Sequence, residues 1–339
     1  MKIRVGLVGL GQAWEKRHRP ALRALGDRFE VRAICEEVAL RAQHAARDFG
    51  AAQVDGFRAL AQRDDIDAIL MLTPQWFGPL PILAACDAGK AVYCAAAMDL
   101  EPDRAREIKD RVEEAGIAFM AEFPRRHAPA TLRLKELIAT RLGAPRLIFC
   151  HRRMTVSSTN GIPVRSRWQS HPVVRDLTEL VDWCRYIVGS EPTSVFGVCH
   201  RRCAESPESD YEMMSLDFSG PAGPGTGPLA HISCGHYMPT EWREATSYRP
   251  PAGVQVACEH GVAFVDLPTT VVWFDEAGRH QESLESERPV GEQLLSQFYR
   301  AVTSLVRKTS DLEDAYRALQ VVTTARKCYE EGRRLSVEY

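Results

Sequence analysis

The 339-residue sequence lacks the features that mark several special classes of protein. No apolar run approaches the length of a membrane-spanning helix, and the N-terminus does not have the basic-then-apolar pattern of a signal peptide. Positive charge is not in excess, because 43 lysines and arginines are balanced by 45 acidic residues, so we expect no nucleic-acid partner. The ten cysteines contain no C-x-x-C pair, which predicts reduced thiols and no metal site. These absences favour a cytoplasmic protein with no membrane partner.

The first pattern present is a short apolar run, residues 3–8, that ends in a glycine turn and is followed by a helical pattern. A buried strand, a glycine turn and a helix bring backbone N–H groups and a helix N-terminus together, which is the geometry that binds a dinucleotide pyrophosphate. The third glycine of G-x-G-x-x-G is missing, because Trp14 occupies its position. A tight turn without a ligand is the alternative. The residues predicted to contact the cofactor here are Gly9, Leu10, Gly11, Gln12 and Ala13.

An acidic residue follows the second predicted strand. This strand covers residues 29–35, and Glu36 comes directly after it, 25 residues past Gly11. A carboxylate at this point accepts the ribose hydroxyls of an adenosine and repels a 2′-phosphate. Glu36 therefore predicts NAD as the cofactor rather than NADP, and the alternative is a surface glutamate at a strand end.

Apolar segments alternate with helical patterns throughout the first 124 residues. Strands are predicted at residues 3–8, 29–35, 51–54, 67–73, 91–94 and 117–123. This alternation predicts an α/β fold with a parallel, doubly wound sheet, and hence a dinucleotide-binding domain over residues 1–124. Ligands of such sheets lie beyond the carboxyl ends of the strands. Further cofactor contacts are therefore expected from Thr73, Pro74, Gln75, Cys94, Ala95 and Ala96.

Residues 125–339 are predicted to form a second, α+β domain. Strand-like runs separated by turn-rich pieces indicate a mostly antiparallel sheet with helices on one face. The predicted strands cover residues 146–152, 193–202, 211–218, 229–237, 254–258, 261–267, 270–274 and 335–339. The predicted helices cover residues 134–142, 173–188, 291–308 and 311–331. Chain length also favours two domains, since single cores stop growing at about 250–300 residues.

Several pieces together resemble the Gfo/Idh/MocA superfamily, named after glucose–fructose oxidoreductase, inositol dehydrogenase and the rhizopine catabolism protein. The matching pieces, in order, are VGLVGLG, ICEE, DDIDAILMLTPQ, ACDAGKAVYC, FPRRHAPA, WCRYIVGSEPTSV and DLEDAYRALQVV. They extend over nearly the whole chain. The resemblance implies a Rossmann NAD(P)-binding domain, a C-terminal domain that binds a small-molecule substrate, and a homo-oligomer formed through the C-terminal sheet.

The sequence departs from this family where its members carry catalytic side chains. The resemblance places the lysine of the family's Glu-Lys-Pro motif at Ala96. It places the catalytic aspartate and histidine of a second-domain helix at Arg175 and Glu179. Sliding the register by one residue restores an aspartate, Asp176, but puts Leu180 at the histidine position. Any acid–base chemistry must therefore use other side chains.

Four polar residues are the candidates for this chemistry: Glu179, Asp182, Arg126 and Tyr93. A dehydrogenase needs a base that takes the hydroxyl proton as hydride leaves the carbon. Glu179 serves as that base in one interpretation, and in the other it forms a surface ion pair with Arg175, four residues earlier on the same helix. Arg126 matches an arginine common in the family, and its alternative role is an interdomain salt bridge.

The favoured function is an NAD-dependent oxidoreductase that acts on a sugar, polyol or similar hydroxylated small molecule, as the resemblance implies. The alternative is an NAD(H)-binding protein without dehydrogenase activity: a sensor, a regulatory subunit, or a lyase or hydrolase that uses bound NAD. The loss of the family lysine, aspartate and histidine supports this alternative. In a third interpretation, Trp14 fills the pyrophosphate site and no nucleotide binds.

Overall fold

The computed structural model describes residues 2–11, 13–73, 77–95, 102–156, 172–201, 209–220, 223–239, 241, 244–245, 248, 251–285, 287–304 and 310–339. These residues form two compact units. The first unit contains the described residues up to Pro124 together with those of residues 288–316. The second unit contains those of residues 125–287 and Arg317–Tyr339.

The secondary structure alternates strands and helices early and is rich in strands later. The described helices are α1 (Arg19–Ala24), α2 (Ala39–Phe49), α3 (Phe57–Ala61), α4 (Leu80–Asp87), α5 (Pro102–Ala115), α6 (Pro129–Leu137), α7 (Pro172–Val188), α8 (Val290–Thr303) and α9 (Ser310–Glu331). Five-residue π-helical turns precede α1 (Trp14–His18) and follow α6 (Ile138–Leu142). Within the described ranges, no helix is long and apolar enough to cross a membrane.

The first unit is built on a six-stranded parallel sheet. Its strands are β1 (Ile3–Val8), β2 (Phe29–Cys35), β3 (Ala52–Gln53), β4 (Ala68–Met71), β5 (Ala91–Cys94) and β6 (Phe119–Ala121). Their spatial order is β3-β2-β1-β4-β5-β6, with parallel pairing throughout. The central strands are short apolar runs because both of their faces are buried. This sheet confirms the predicted doubly wound Rossmann fold.

A helix from late in the sequence packs against this sheet. The side chains of Leu294, Leu295 and Phe298 on α8 lie in the same core as Leu7. The ring of Phe298 stacks on that of Phe29, with centroids 6.4 Å apart. Residues 288–316 therefore belong to the first unit, whereas the sequence-based division assigned all of residues 125–339 to the second domain. The apolar stripe of α8 does not reveal which sheet buries it.

The second unit is built on a nine-stranded sheet. Its strands are β7 (Pro145–Val156), β8 (Ser194–His200), β9 (Tyr211–Asp217), β10 (Leu229–Pro239), β11 (Val254–Cys258), β12 (Val262–Asp266), β13 (Thr270–Asp275), β14 (Gly278–Ser283) and β15 (Leu335–Ser336). Their order is β14-β13-β12-β11-β7-β10-β9-β8-β15, and β7 pairs with β10 in parallel while the other neighbours are antiparallel. The mostly antiparallel sheet is confirmed. The edge strand β14 was not predicted, because its residues are polar and show no apolar alternation.

The two faces of this sheet differ. On β7, Ile148 and Cys150 are buried, and the Cys150 sulfur lies 3.6 Å from that of Cys184 on α7. The alternate residues Leu147 and Phe149 point to the opposite face and are each 42% exposed. Helices therefore cover one face, while apolar side chains remain exposed on the other.

Candidate active site

The turn after β1 packs tightly against the end of β4. Gly9 has a φ of +70°, and a Cβ at this position would lie 2.2 Å from Thr73 Oγ1. A Cβ at Gly11 would lie 2.2 Å from the carbonyl oxygen of Leu72. Both positions therefore require glycine for steric reasons. The turn consequently lies beside Thr73 at the carboxyl edge of the parallel sheet.

Glu36 contacts this turn from the end of β2. Its Oε2 accepts a hydrogen bond from the backbone N–H of Leu10 at 2.5 Å, and its Oε1 accepts one from that of Val38 at 3.2 Å. Arg41 donates to the carbonyl oxygen of Leu10. The structure therefore brings together the glycine turn and the acidic residue that the sequence indicated separately.

A cleft of about 420 Å³ opens beside Glu36, at the carboxyl ends of β2 and β3. Its lining includes Glu36, Glu37, Asp55, Phe57 and Phe77. Burial, together with the negative charges of the three carboxylates, raises the pKa of Cys35 to about 11. The rim of the cleft is therefore negative, which suits ribose hydroxyls and opposes a 2′-phosphate.

Thr73 presents a buried hydroxyl next to the glycine turn. Its Oγ1 has no hydrogen-bond partner among the residues that the structure describes. An unpaired buried polar group costs about 1–3 kcal/mol, so a ligand that hydrogen-bonds to this hydroxyl would gain free energy from the contact. This hydroxyl, the closely packed glycines and Glu36 fit a dinucleotide.

Trp14 belongs to the hydrophobic core. Its side chain is 3% exposed and packs with the core of the first unit. Its ring lies 5.9 Å from that of Phe49 on α2, measured between centroids. This packing in the core argues against the interpretation in which Trp14 fills the pyrophosphate site.

The other predicted cofactor residues are only partly described. Ala13 is half-buried directly after the turn, and Cys94 and Ala95 are buried at the end of β5. Four predicted residues lie outside the described ranges: Gln12, Pro74, Gln75 and Ala96. The described members end β1, β2, β4 and β5, which are neighbours in the sheet.

Tyr93 lies in the core of the first unit. Its side chain is 0% exposed, and its ring packs edge-on against Phe298 and His18 with centroid distances of 5.6 and 6.2 Å. Burial and the nearby carboxylate of Glu122 raise the pKa of Tyr93 well above its usual value. A phenol in this place stays protonated and inaccessible, so its burial argues against the predicted direct catalytic role.

A buried polar cluster beside Tyr93 was missed from the sequence. His18 Nε2 lies 2.9 Å from Glu122 Oε2, and Arg17 pairs with the other carboxylate oxygen. Burial opposes the charge on Glu122, but the hydrogen bond and charge of His18, together with the charge of Arg17, outweigh it and lower the pKa of Glu122. The cluster holds the π-helical turn before α1 to the end of β6. The feature of the sequence that could have indicated this cluster is an acidic residue, Glu122, directly after the apolar residues of β6.

In the second unit, Asp182 and Arg126 form a buried ion pair. Arg126 Nε donates to Asp182 Oδ2 at 2.7 Å, and Arg126 Nη2 donates to Oδ1. Asp182 is 1% exposed, and the guanidinium also lies 5.4 Å from the ring centroid of Tyr186. Both partners of this pair belong to one unit, so the contact with Asp182 is not an interdomain salt bridge. The pair brings together two of the four predicted catalytic residues.

Glu179 has a different partner from the one considered in the sequence. Arg125 Nε lies 3.4 Å from Glu179 Oε2, and the Arg125 guanidinium lies 5.4 Å from the ring centroid of Trp183. This contact takes the place of the expected ion pair with Arg175. Tertiary packing brings Arg125 to this face of α7, which the helical spacing of charges does not reveal.

Asp176 gathers two further side chains beneath the first turns of α7. Its Oδ1 accepts a hydrogen bond from Arg152 Nη1 at 2.7 Å, and its Oδ2 lies 4.0 Å from His236 Nε2. Arg152 belongs to β7 and His236 to β10, which are neighbouring strands. From the sequence, Asp176 was only an alternative in the helix register, and no local pattern links it to His236.

His127, directly after Arg126, was also missed. Burial and the positive charge of Arg126 lower the pKa of His127 to about 4. Its imidazole is therefore uncharged at neutral pH. The sequence carried no signal for this, since the shift depends on how deeply the side chain is buried.

Known proteins share both the sequence pattern and the fold. The model of the GFO_IDH_MocA oxidoreductase family, NAD-binding Rossmann fold, matches residues 3–123. Inositol 2-dehydrogenase 3 of Saccharopolyspora erythraea is 30% identical over 247 residues, which cover 69% of this chain and 68% of that enzyme. The chain belongs to the Gfo/Idh/MocA family.

Two further comparisons extend this result. Inositol 2-dehydrogenase of Rhizobium meliloti is 28% identical over 197 residues, which cover 58% of each protein. The match thus spans less than two thirds of that enzyme's length. The solved structure of levoglucosan dehydrogenase in complex with NADH and levoglucosan has a TM-score of 0.84 and 17% identity, and the match covers 100% of both chains. At this identity the structural likeness supports the fold alone.

In this Gfo/Idh/MocA chain, side chains from other elements reach α7: Arg125 pairs with Glu179, and His236 of β10 lies near Asp176.

Proposed function

We propose that the protein is an NAD-dependent oxidoreductase that acts on a sugar, polyol or similar hydroxylated small molecule. The observation that carries this proposal is the contact between Glu36 and the glycine turn, in a chain that belongs to an NAD-binding family. A carboxylate at this point is suited to accept ribose hydroxyls. A cytoplasmic location stays a prediction from the sequence.

The preference for NAD over NADP rests on the charge beside Glu36. Glu36, Glu37 and Asp55 all line the same cleft, and no arginine or lysine is among its described lining residues. A 2′-phosphate placed there would face three carboxylates, and the guanidinium of Arg41 beside the turn already donates to the carbonyl oxygen of Leu10. The ribose with free hydroxyls is the better ligand.

The first unit supplies the contacts that hold the cofactor. Backbone groups of the described turn residues Gly9, Leu10, Gly11 and Ala13 hold the pyrophosphate, and Glu36 holds the ribose. Among the described residues, Thr73, Cys94 and Ala95 line the nicotinamide side. When bound, NAD⁺ supplies the acceptor for a hydride from the substrate carbon.

The second unit supplies the surroundings of the substrate. Ion pairs around α7 include Arg125 with Glu179, Arg126 with Asp182, and Arg152 with Asp176. In each of these contacts an arginine is held by a carboxylate, which favours an uncharged substrate with several hydroxyls over a phosphorylated one. Glu179 contacts a substrate hydroxyl in this proposal, and the buried pair of Arg126 and Asp182 positions the segment around it.

A homo-oligomer formed through the nine-stranded sheet completes the proposal. Its support is the face of that sheet opposite α7, where large apolar side chains are 38–44% exposed. Strand registers place these side chains on one face: Leu147, Phe149, Phe196, Leu229 and Phe274. Several exposed apolar side chains on one sheet face are typical of an interface, and a second copy of the chain is the partner we propose.

Direct titration with NADH and NADPH tests the cofactor site. Energy transfer from protein to nicotinamide reports binding, and calorimetry checks the affinities. We expect NADH to bind at micromolar concentration and NADPH much more weakly. Glu36→Ala should weaken NADH binding by about tenfold or more, and Glu36→Arg should shift the preference toward NADPH. Glu30→Ala, which changes an exposed glutamate on the same strand, is the matched control and should leave both affinities unchanged.

Absence of nucleotide binding and absence of turnover lead to different conclusions. If neither nucleotide binds, the proposed function is overturned. If NADH binds as expected but inositol, levoglucosan and a panel of aldoses are not oxidised, the NAD(H)-binding alternative without dehydrogenase activity replaces it. Turnover of one of these compounds, followed by the absorbance of the NADH formed, supports the proposal.

A further inference from the structure

A buried polar cluster holds the residues that follow the glycine turn in the first unit. Glu122, directly after β6, is 4% exposed. Its Oε2 lies 2.9 Å from Nε2 of His18, and its Oε1 pairs with the guanidinium of Arg17. These two partners are the last residues of the π-helical turn Trp14–His18. One carboxylate therefore anchors the end of this turn.

Glu122 is a charged anchor with both oxygens engaged. Burial opposes its charge, but the hydrogen bond and charge of His18 and the charge of Arg17 outweigh burial and lower the pKa of Glu122. An ionised carboxylate only accepts hydrogen bonds, so Nε2 of His18 donates the hydrogen between them. The carboxylate cannot turn away without losing a partner. It comes from a distant part of the chain, 104 residues after His18.

Backbone hydrogen bonds connect the anchored residues to the glycine turn. The N–H of Trp14 donates to the carbonyl oxygen of Gly11 at 3.0 Å. The N–H groups of Arg17 and His18 donate to the carbonyl oxygen of Ala13, at 2.9 and 3.3 Å. Gly11 and Ala13 are among the residues proposed to hold the pyrophosphate. A displacement of Arg17 and His18 would therefore be passed on to them.

Trp14 anchors the start of the same π-helical turn. In a G-x-G-x-x-G motif the third glycine lets the helix pack closely on the first strand, and Trp14 occupies that position. Its side chain is 3% exposed, with its ring centroid 5.9 Å from that of Phe49. The N–H of His18 bonds five residues back, to Ala13, which is the wide π-helical spacing. The turn is therefore fixed at its start by Trp14 and at its end by Glu122.

Neighbouring elements confine the two residues that Glu122 holds. The ring of Tyr93 on β5 packs edge-on against that of His18, with centroids 6.2 Å apart. A Cβ at Gly291 on α8 would lie 2.7 Å from the carbonyl oxygen of Arg17, so α8 packs closely against the backbone of the turn. Arg17 and His18 therefore have little room to move while the cluster is intact.

We propose that Glu122 is a positioning residue for the cofactor, because it holds the glycine turn in the shape that receives the pyrophosphate of NAD. This inference rests on the proposed function. Glu122 acts through Arg17 and His18 and does not itself contact the cofactor. The affinity for the dinucleotide thus depends on a carboxylate after β6 that lies outside the glycine motif.

Glu122→Gln tests this role, because it keeps the size of the side chain and loses the charge. We expect the Kd for NADH to rise by about tenfold, measured by energy transfer under conditions in which circular dichroism shows a folded variant. Glu122→Asp, which keeps the charge, should recover part of the loss. Asp67→Asn is the matched control, because Asp67 pairs with Arg4 at the opposite edge of the same sheet and its loss should leave the Kd unchanged.

A second readout separates positioning from a general loss of stability. ADP-ribose carries the pyrophosphate and adenosine does not, while both carry the ribose that Glu36 is proposed to hold. Glu122→Gln should weaken the binding of ADP-ribose by about tenfold and that of adenosine by less than about twofold, followed by ligand-observed NMR. A purely structural role would weaken both ligands equally.

His18→Asn removes the other half of the same contact. It should cause the same selective loss of ADP-ribose and NADH affinity, and it should add little in the Glu122→Gln background, because the two residues act as one unit. If Glu122→Gln does not fold, Glu122→Asp and His18→Asn decide the question by the same affinities.

The outcomes distinguish this inference from the proposed function. If the wild-type protein binds NADH and the folded variants keep their affinity within about twofold, only this inference is overturned. Equal losses for adenosine and ADP-ribose would overturn it as well. If the wild-type protein binds no NADH, the proposed function fails and this inference fails with it.

Discussion

At the scale of single residues, three buried carboxylates are paired with arginines. Glu122, Asp176 and Asp182 are each at most 4% exposed, and each contacts an arginine. Removing one partner of a buried pair typically costs about 3–5 kcal/mol of stability. A loss of activity in a variant of these carboxylates therefore has to be compared with its free energy of unfolding before a chemical role is assigned.

Tyr93 allows a residue-scale test, because its buried hydroxyl lies beside the Glu122 carboxylate without completing a hydrogen bond of good geometry. We expect Tyr93→Phe to change the free energy of unfolding by less than about 1 kcal/mol and to keep kcat, since only a weak contact with Glu122 is lost. Tyr316→Phe is the control: the Tyr316 hydroxyl accepts a bond from Arg106 at 2.9 Å, and its loss should cost about 1–2 kcal/mol. Urea unfolding measures both. A large fall in kcat for a stable Tyr93→Phe would restore the predicted catalytic role.

At the scale of elements, α8 is part of the cofactor-binding unit although it lies far along the chain. Its buried residues include Leu294, Leu295 and Phe298, which share a core with β1 and β2. The ring of Phe298 also packs against Tyr93 at 5.6 Å. Without this helix, an apolar face of the sheet formed by the first 124 residues would be uncovered.

Phe298→Ala tests this dependence. A buried phenylalanine truncated to alanine typically costs about 3–5 kcal/mol, through lost burial and the cavity left behind. We expect NADH binding to be lost at lower urea concentration in the variant, because the same core supports the glycine turn. Arg300→Ala, at an exposed position of α8, should change stability by less than about 0.5 kcal/mol. Equal effects of the two substitutions would contradict the packing of α8 in this unit.

At the scale of the whole molecule, the exposed face of the nine-stranded sheet is the feature with the clearest consequence. Phe149 and Leu147 are each 42% exposed near its centre, where β7 lies between β10 and β11. Apolar surface of this kind favours association, because burying it releases water. A second copy that presents the same face would cover it with an isologous contact.

Phe149→Glu tests the oligomer at this scale. A charge in an apolar interface opposes its burial, so we expect the variant to dissociate to monomers in sedimentation experiments at micromolar concentration while the wild-type protein stays assembled. Leu40→Glu is the control, since Leu40 is 61% exposed on α2 of the other unit. A monomeric wild-type protein, or a variant that assembles as the wild type does, would contradict the proposed interface.

The cofactor half of the candidate site was predictable because its residues are close along the chain. The glycine turn directly follows an apolar strand, and Glu36 follows the next strand, so periodicity and turn residues were sufficient. The burial of Trp14 was not predictable in this way, because it depends on Phe49 from another helix.

Chain order and residue pattern were enough for the parallel sheet, the glycine turn and the acidic end of β2, since each follows from which side chains a strand or helix must bury. The partners of the charged groups around α7 required the folded chain. Glu179 meets Arg125, and Asp176 meets His236, because the segment before α6 and strand β10 both pack against α7. A periodic pattern encodes which face is buried, whereas an ion pair depends on distances of a few ångströms that arise only when distant elements pack together.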